Sequence, residues 1–253
     1  MNEKTTRHPK ADTSSIITNF IHLRNPWVTA WWSFAFPGFG HILLCSYVRG
    51  FLLVIWEIFI NINSKLNLAI IYSFTGQFDL AKEALNTKWL LLYVPVYIFA
   101  VWDSYHLTVE YNKFSVLADR DESQIVTAKI SAWDINFLEK RNPWIAAAWS
   151  FLMPGLGQIY DQRLPTGFFM FIWWTTITYF SNILEVIHLT FIGDFSQAIA
   201  SANPQWLLFM PSIFGFAIYD AYVHAVENNK LFELEQSRFL KENYQDPDFK
   251  MPV

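Results

Sequence analysis

Apolar residues in this chain fall into long runs separated by short polar clusters. Uncharged stretches extend from Asn25 to Val48, Asn142 to Tyr160, Leu164 to Leu184 and Phe195 to Tyr219, each near the roughly 20 residues that a helix needs to cross a bilayer. Two runs open with Arg-Asn-Pro-Trp, Arg24 to Trp27 and Arg141 to Trp144. Asn there can accept from the first free helical N–H groups and Pro fits the first helical position, so a helix is predicted to start at each. Neither can run past Phe36 or Met153. Pro37-Gly38-Phe39-Gly40 and Pro154-Gly155-Leu156-Gly157 follow, where proline removes a donor and glycine permits a tight turn. Such a helix rises only about 16 Å, half a bilayer. It is therefore either re-entrant or a kinked span continuing through His41 to Tyr47.

A second apolar segment begins at Gly50-Phe51 and at Gly167-Phe168, and a stretch of mixed polarity follows, Leu66 to Leu85 and Ile183 to Ala202. The mixed stretch suits a helix lying in the interface or packed on the bundle. The last apolar segments run from Trp89 to Val109 and from Trp206 to Val226. Behind this pattern lies a duplication. Residues 19–117 align with residues 136–234 at a constant shift of 117 without a gap, and 38 of the 99 pairs are identical. The expected organisation is a polar N-terminal tail (1–18), a first membrane repeat (19–117), a polar linker (118–135), a second membrane repeat (136–234) and a polar C-terminal tail (235–253). The expected fold class is all-α, a polytopic helical membrane protein built from two tandem parallel repeats.

Composition favours a bilayer as solvent. Hydrophobic residues make up 53% and charged residues only 16%, against roughly 25% charged in soluble domains. Mean hydropathy is only +0.20, so a buried, aromatic-rich soluble helical protein is the alternative. Trp residues gathered at the edges of apolar runs fit interfacial belts better. Residues 1–18 contain no apolar stretch of signal-peptide type. Cys45 is the single cysteine, so neither an intrachain disulfide nor a cysteine metal site can form.

Of the 18 basic residues, 13 lie in the N-terminal segment up to Arg24, the linker from Tyr111 to Arg141 and the segment after Glu227. All three are expected on the cytoplasmic side, in a bacterial cell membrane. Each repeat then has an even number of full spans, two per repeat and four in total as the leading count. Six remain possible if the short first segments cross completely. A net charge of −4 without a basic cluster gives no nucleic-acid footprint.

The stretch Pro154-Gly155-Leu156-Gly157-Gln158-Ile159-Tyr160, with Gly167-Phe168 and Phe216-Ala217-Ile218-Tyr219-Asp220, resembles the TM-two domain family of small two-helix membrane hairpins. The first repeat has Pro37-Gly38-Phe39-Gly40-His41-Ile42, Gly50-Phe51 and Phe99-Ala100-Val101-Trp102-Asp103. The likeness covers about a third of each repeat, and a long insertion precedes the helix that carries Asp103. It implies architecture more than activity.

Candidate chemistry is sparse. Asp103, His106 and Glu110 fall at i, i+3 and i+7, and Asp220, His224 and Glu227 at i, i+4 and i+7, one helical face in each case. They form either a cation- or proton-binding site or a helix end emerging into headgroups. Arg24 with Trp27 and Arg141 with Trp144 are candidate lipid-headgroup anchors. The helix breaks Pro37, Gly38, Gly40, Pro154, Gly155 and Gly157 could offer carbonyls to an ion or serve helix packing. His41, opposite Gln158, is unsupported as a ligand. No triad spacing, phosphate loop or metalloprotease motif occurs, so no enzyme, metal or cofactor is expected. The expectation is a structural, assembly or lipid-interaction role, with membrane lipids and an unidentified membrane protein as partners. The alternative is a small transporter or channel with a path between the repeats.

Overall fold

The computed structural model describes residues 7–245, and helices dominate it. The N-terminal segment is not merely polar chain: β1 (Ala11–Thr13) and β2 (Thr18–Phe20) pair antiparallel, with Asp12 opposite Asn19. Helix α1 (Pro26–Ala35) then starts where the sequence predicts, the Asn25 side chain accepting from the Trp27 amide at 3.0 Å. It stops at Phe36, and the chain reverses through Gly38 at φ +102°, in the left-handed region that glycine tolerates, into α2 (Phe39–Leu43). Next come α3 (Tyr47–Ser64), α4 (Leu66–Phe74), α5 (Phe78–Ala84) and the long α6 (Thr87–Arg120). Lys65, itself left-handed, bends α3 and α4 apart by 64°.

The second half repeats this order. Strand β3 (Ala128–Ile130) lies in the expected linker, and β4 (Ile135–Phe137) crosses from its end into the second repeat. After them come α7 (Pro143–Leu152), α8 (Leu156–Tyr160), α9 (Leu164–Ser181), α10 (Ile183–Phe191) and α11 (Phe195–Ser201), each beginning 117 residues after its counterpart. The last helix is broken into α12 (Pro204–Leu207) and α13 (Met210–Tyr244), which carries helix well into the expected C-terminal tail. The expectation of an all-helical chain thus needs one correction: two short strand hairpins each bridge a polar segment and the start of the repeat that follows it. Their side chains alternate, which lets a three-residue strand turn apolar and polar groups to opposite faces.

The first segment of each half is a hairpin, not a straight span. Along α6, the Arg24 amide reaches Asn112 (2.9 Å), Thr29 meets Thr108 (2.6 Å) and the Phe34 carbonyl meets Tyr97 (2.7 Å), so α1 runs antiparallel to α6. After the break the chain climbs back, because His41 is level with Asp103 and Leu44 lies beside Tyr111 and Asn112. Then α3 descends until the Ser64 carbonyl accepts from the Asn86 amide. Glycine makes the reversal possible. A Cβ on Gly40 would overlap the Thr29 carbonyl oxygen and crowd Ser33, and one on Gly157 would meet the Ala146 carbonyl and Ser150.

Two helical stretches are long and apolar enough to cross a membrane, Thr87–Arg120 and Pro204–Tyr244, and a third if Tyr47–Ser64 and Leu66–Phe74 form one broken span. The main core lies where the halves meet. Phe36 and Phe39 from the first half pack on Phe209 and Phe216 of the second, Phe39 and Phe216 stacking at 4.1 Å, while Phe51 stacks on Phe169 at 4.0 Å. At the opposite end from the strands, Gln205 bonds Asn61 (2.9 Å) and the Leu68 amide (3.0 Å).

Gly40→Ala is expected to cost about 2–4 kcal/mol through overpacking. Gly76→Ala, at φ +76° with open space around it, should cost only about 1 kcal/mol of backbone strain. Thermal unfolding of the two detergent-purified variants checks the order, and equal losses would refute the tight α1 and α2 contact.

Candidate functional site

Asp103 and Asp220 occupy corresponding positions in the long helices, and each is met by the residue that directly follows the second glycine of its helix break. The His41 Nε2 lies 3.0 Å from Asp103 Oδ2, and the Gln158 Nε2 donates to Asp220 Oδ2 at 3.1 Å. His41 and Gln158 are both fully buried. A side chain from the short returning helix therefore ties each hairpin to its long helix. By sequence alone His41 has no support as a ligand, because its counterpart is Gln158. The two share the one property that matters here, an N–H able to donate to a carboxylate.

Each aspartate also meets an arginine, but from a different position. Arg49, exposed on α3, reaches Asp103 at 3.3 Å, whereas Arg163, just before α9, donates to Asp220 at 2.6 Å with both groups buried. The Tyr47 ring of the first half lies 5.8 Å from the Arg163 guanidinium, which therefore stands at the junction of the halves. A buried, charge-assisted pair of this length leaves little of Asp220 free for another cation.

The face-sharing triplets do not converge. His106 and Glu110 lie outward at 3.5 Å from each other, away from Asp103, which turns inward. His224 is buried, 5.0 Å from the Phe20 ring, with its Nε2 lacking a hydrogen-bond partner. Glu227 holds Lys230 at 2.7 Å and lies 3.6 Å from His22. Helical spacing put these groups on one face, but packing turned the ends of each face toward different neighbours. Among the described residues, no three of His, Cys, Asp and Glu gather closely enough to hold a metal ion.

The helix breaks are closely packed. Pro37, Gly38, Gly40, Pro154, Gly155 and Gly157 are all buried. The Gly38 carbonyl accepts from the Ile42 amide and the Gly155 carbonyl from the Ile159 amide, both at 3.0 Å.

The two arginines proposed from the sequence as headgroup anchors have different surroundings. Arg141 bonds Glu139 at 3.2 Å and lies 5.7 Å from the Tyr160 ring. Arg24 has no ion-pair partner among the described residues, and it lines a cavity of about 180 Å³ between α1 and α13 with His22, Asn25, Val28, Tyr219 and Glu227. Burial, reinforced by the Arg24 and Lys10 charges, pushes His22 down to about 3, so it is neutral at physiological pH. Glu227 and Asp220 lie near enough to Arg24 to offset part of its charge, but neither forms an ion pair with it. Trp27 and Trp144 are exposed nearby and meet Tyr105 and Tyr222 edge to face at 5.1 and 5.0 Å.

One buried group was not singled out from the sequence. Asp161, at the end of α8, has both carboxyl oxygens without hydrogen-bond partners, and burial pushes it up to about 8 despite the nearby Arg163 and Arg141. Nothing in its local pattern distinguishes it from a solvated turn aspartate; only the covering of that turn makes it costly.

A raised carboxyl pKa means that the folded chain retains a proton which the unfolded chain releases. The contribution to stability is full below the ordinary carboxyl range and is lost as pH rises toward 8. Asp161→Asn is therefore expected to stabilise the protein by about 1–3 kcal/mol at pH 8 and by little at pH 4. Melting temperatures across that range check it, and a gain independent of pH would exclude the buried carboxylate as cause. Compared with protein-family models, curated proteins and solved structures, the chain matches none of them.

Proposed function

We propose that this is a polytopic membrane protein of two tandem, parallel, TM-two-like units, with a structural and lipid-interaction role. In this reading α3, α6, α9 and α12 with α13 span the bilayer, and α1 with α2 and α7 with α8 are re-entrant hairpins. Both strand hairpins and the ends of α6 and α13 lie on the cytoplasmic side of a bacterial cell membrane. What supports it is the direction in which the side chains face. The long helix α6 turns Leu91, Ile98 and Trp102 outward, while Asp103, His41, Gln158 and Asp220 are paired inward. Ionisable groups in a bilayer are costly unless so paired.

The observation that carries the lipid part is Arg24, which has no ion-pair partner among the described residues and lines a cavity at the mouth of the first hairpin, with Trp27 exposed three residues further along the chain. A guanidinium fork matches a phosphate ester, and Trp27 marks headgroup depth. Transport is less well supported, because Asp103 and Asp220, the groups that would line its path, already have internal partners.

Reporters fused after Asp119 and at the C-terminus are expected to read cytoplasmic together, and opposite readings would overturn the even number of spans per unit. Wild-type protein should keep more tightly bound phospholipid through delipidation than Arg24→Gln, measured by native mass spectrometry. Arg141→Gln, whose arginine is already neutralised by Glu139, should lose less. Equal retention by all three would remove the lipid role while leaving the topology standing.

A further inference from the structure

The contact between the halves has a direction. Phe39 and Trp32 of the first half pack on Phe216, and Trp32 on Tyr219. If the halves were related by a two-fold axis, the corresponding residues would meet in return, Leu156 and Trp149 on Phe99 and Trp102. They do not. Phe216 is 0% exposed and its counterpart Phe99 51%, and Trp149 and Trp102 are both exposed. The front of the first half thus rests on the back of the second, leaving the back of the first and the front of the second bare.

The strand hairpins repeat the asymmetry outside the apolar layer. Hairpin β1 and β2 reaches across to the second half: the Leu164 amide donates to the Ile16 carbonyl at 3.1 Å, and Phe20 packs with Leu231, Ile125 and Leu138. Phe20 is 6% exposed, whereas its counterpart Phe137 on β4 is 52% exposed, and Trp133 at the tip of the second hairpin is 90% exposed. On α6, Phe114 stands in the place of Leu231 and is 51% exposed among the described residues, with only the His8 ring near it at 6.4 Å. Lipid tails account for apolar exposure along a span. They do not account for Phe137, Trp133 and Phe114, which lie among charged residues beyond it.

We propose that a second copy of this chain covers these faces, its α6 receiving hairpin β3 and β4 and helix α7 of the first copy in the arrangement that joins the halves within one chain. The inference rests on the two-unit membrane reading above. An interface between unlike faces leaves one of each unsatisfied and is completed by adding further copies until a ring closes. The chain already contains one such contact, built from matching residues: Phe99 repeats Phe216, Phe137 repeats Phe20, and Trp149 repeats Trp32. One polar pair changes. His22 and Glu227 become Glu139 and Glu110, and Arg141 already holds Glu139 at 3.2 Å.

The test uses full-length protein in which Cys45→Ser removes the native thiol. Two differently tagged chains, one with Phe137→Cys and the other with Phe114→Cys, are co-expressed and treated in native membranes with a short bis-maleimide. Cross-linked product carrying both tags is expected, in several-fold excess over either product joining like chains. A predominance of like-with-like product, or only single chains, would overturn the proposal. A single chain with Phe20→Cys and Leu231→Cys reports the contact within the molecule, as a gel-mobility shift without change of mass class. Failure of that control strikes the two-unit reading itself; success of the control with no two-tag product strikes only the assembly. As an independent measurement, Phe137→Asp should shift the mass of the particle in native nanodiscs from two or more chains toward one. A wild-type particle of one chain is the contrary result.

Discussion

The reversal of the chain at Pro37-Gly38 and at Pro154-Gly155 is the constraint on which the rest of this structure depends. A helix of ten residues that must turn back inside an apolar bundle needs two things at once: room for the returning segment against its own first turns, and a donor on that segment to meet the carboxylate it passes. Gly40 and Gly157 supply the room, since any side chain there would strike the carbonyl of Thr29 or Ala146. His41 and Gln158 supply the donor. Remove the close approach and the donor misses its aspartate; remove the donor and a carboxylate is left in apolar surroundings, which costs several kcal/mol in a dry interior.

From this shared frame the two halves diverge in how they complete the aspartate. In the first, Arg49 comes from the outer face of α3 and remains exposed, so Asp103 keeps contact with the surroundings. In the second, Arg163 closes over Asp220 from within, and the Tyr47 ring of the first half lies against it. The second aspartate is thereby built into the joint between the halves. Asp161 and the unpartnered nitrogens of Arg163 and His224 surround the same joint. Polar groups are concentrated where the two halves meet at the strand end, while aromatic stacking fills the middle of the contact.

The joint is also where a duplicated sequence yields unequal surroundings. Phe99 and Phe216 are the same residue in the same local pattern, yet one is at the surface and the other in the core. Burial here belongs to the position of a unit in a row, not to the residue. A unit with distinct front and back faces produces this result whenever two are placed in line.

Local chemistry made much of the fold readable beforehand. Asn-Pro starts both short helices, proline and glycine end them, and an apolar run of sufficient length yields each long helix, because caps, breaks and hydrophobic length act within a few residues or along one element. Helix geometry puts Asp103, His106 and Glu110 within one broad sector of α6, but such a sector is about 100° wide and its two edges can look at different neighbours. The pairing of His41 with Asp103 and of Arg163 with Asp220, the strand hairpins ahead of α1 and α7 and the burial of Asp161 were decided only when distant segments met. These are contacts across 62, 57 and more residues. A residue's own neighbours in the chain carry no record of them.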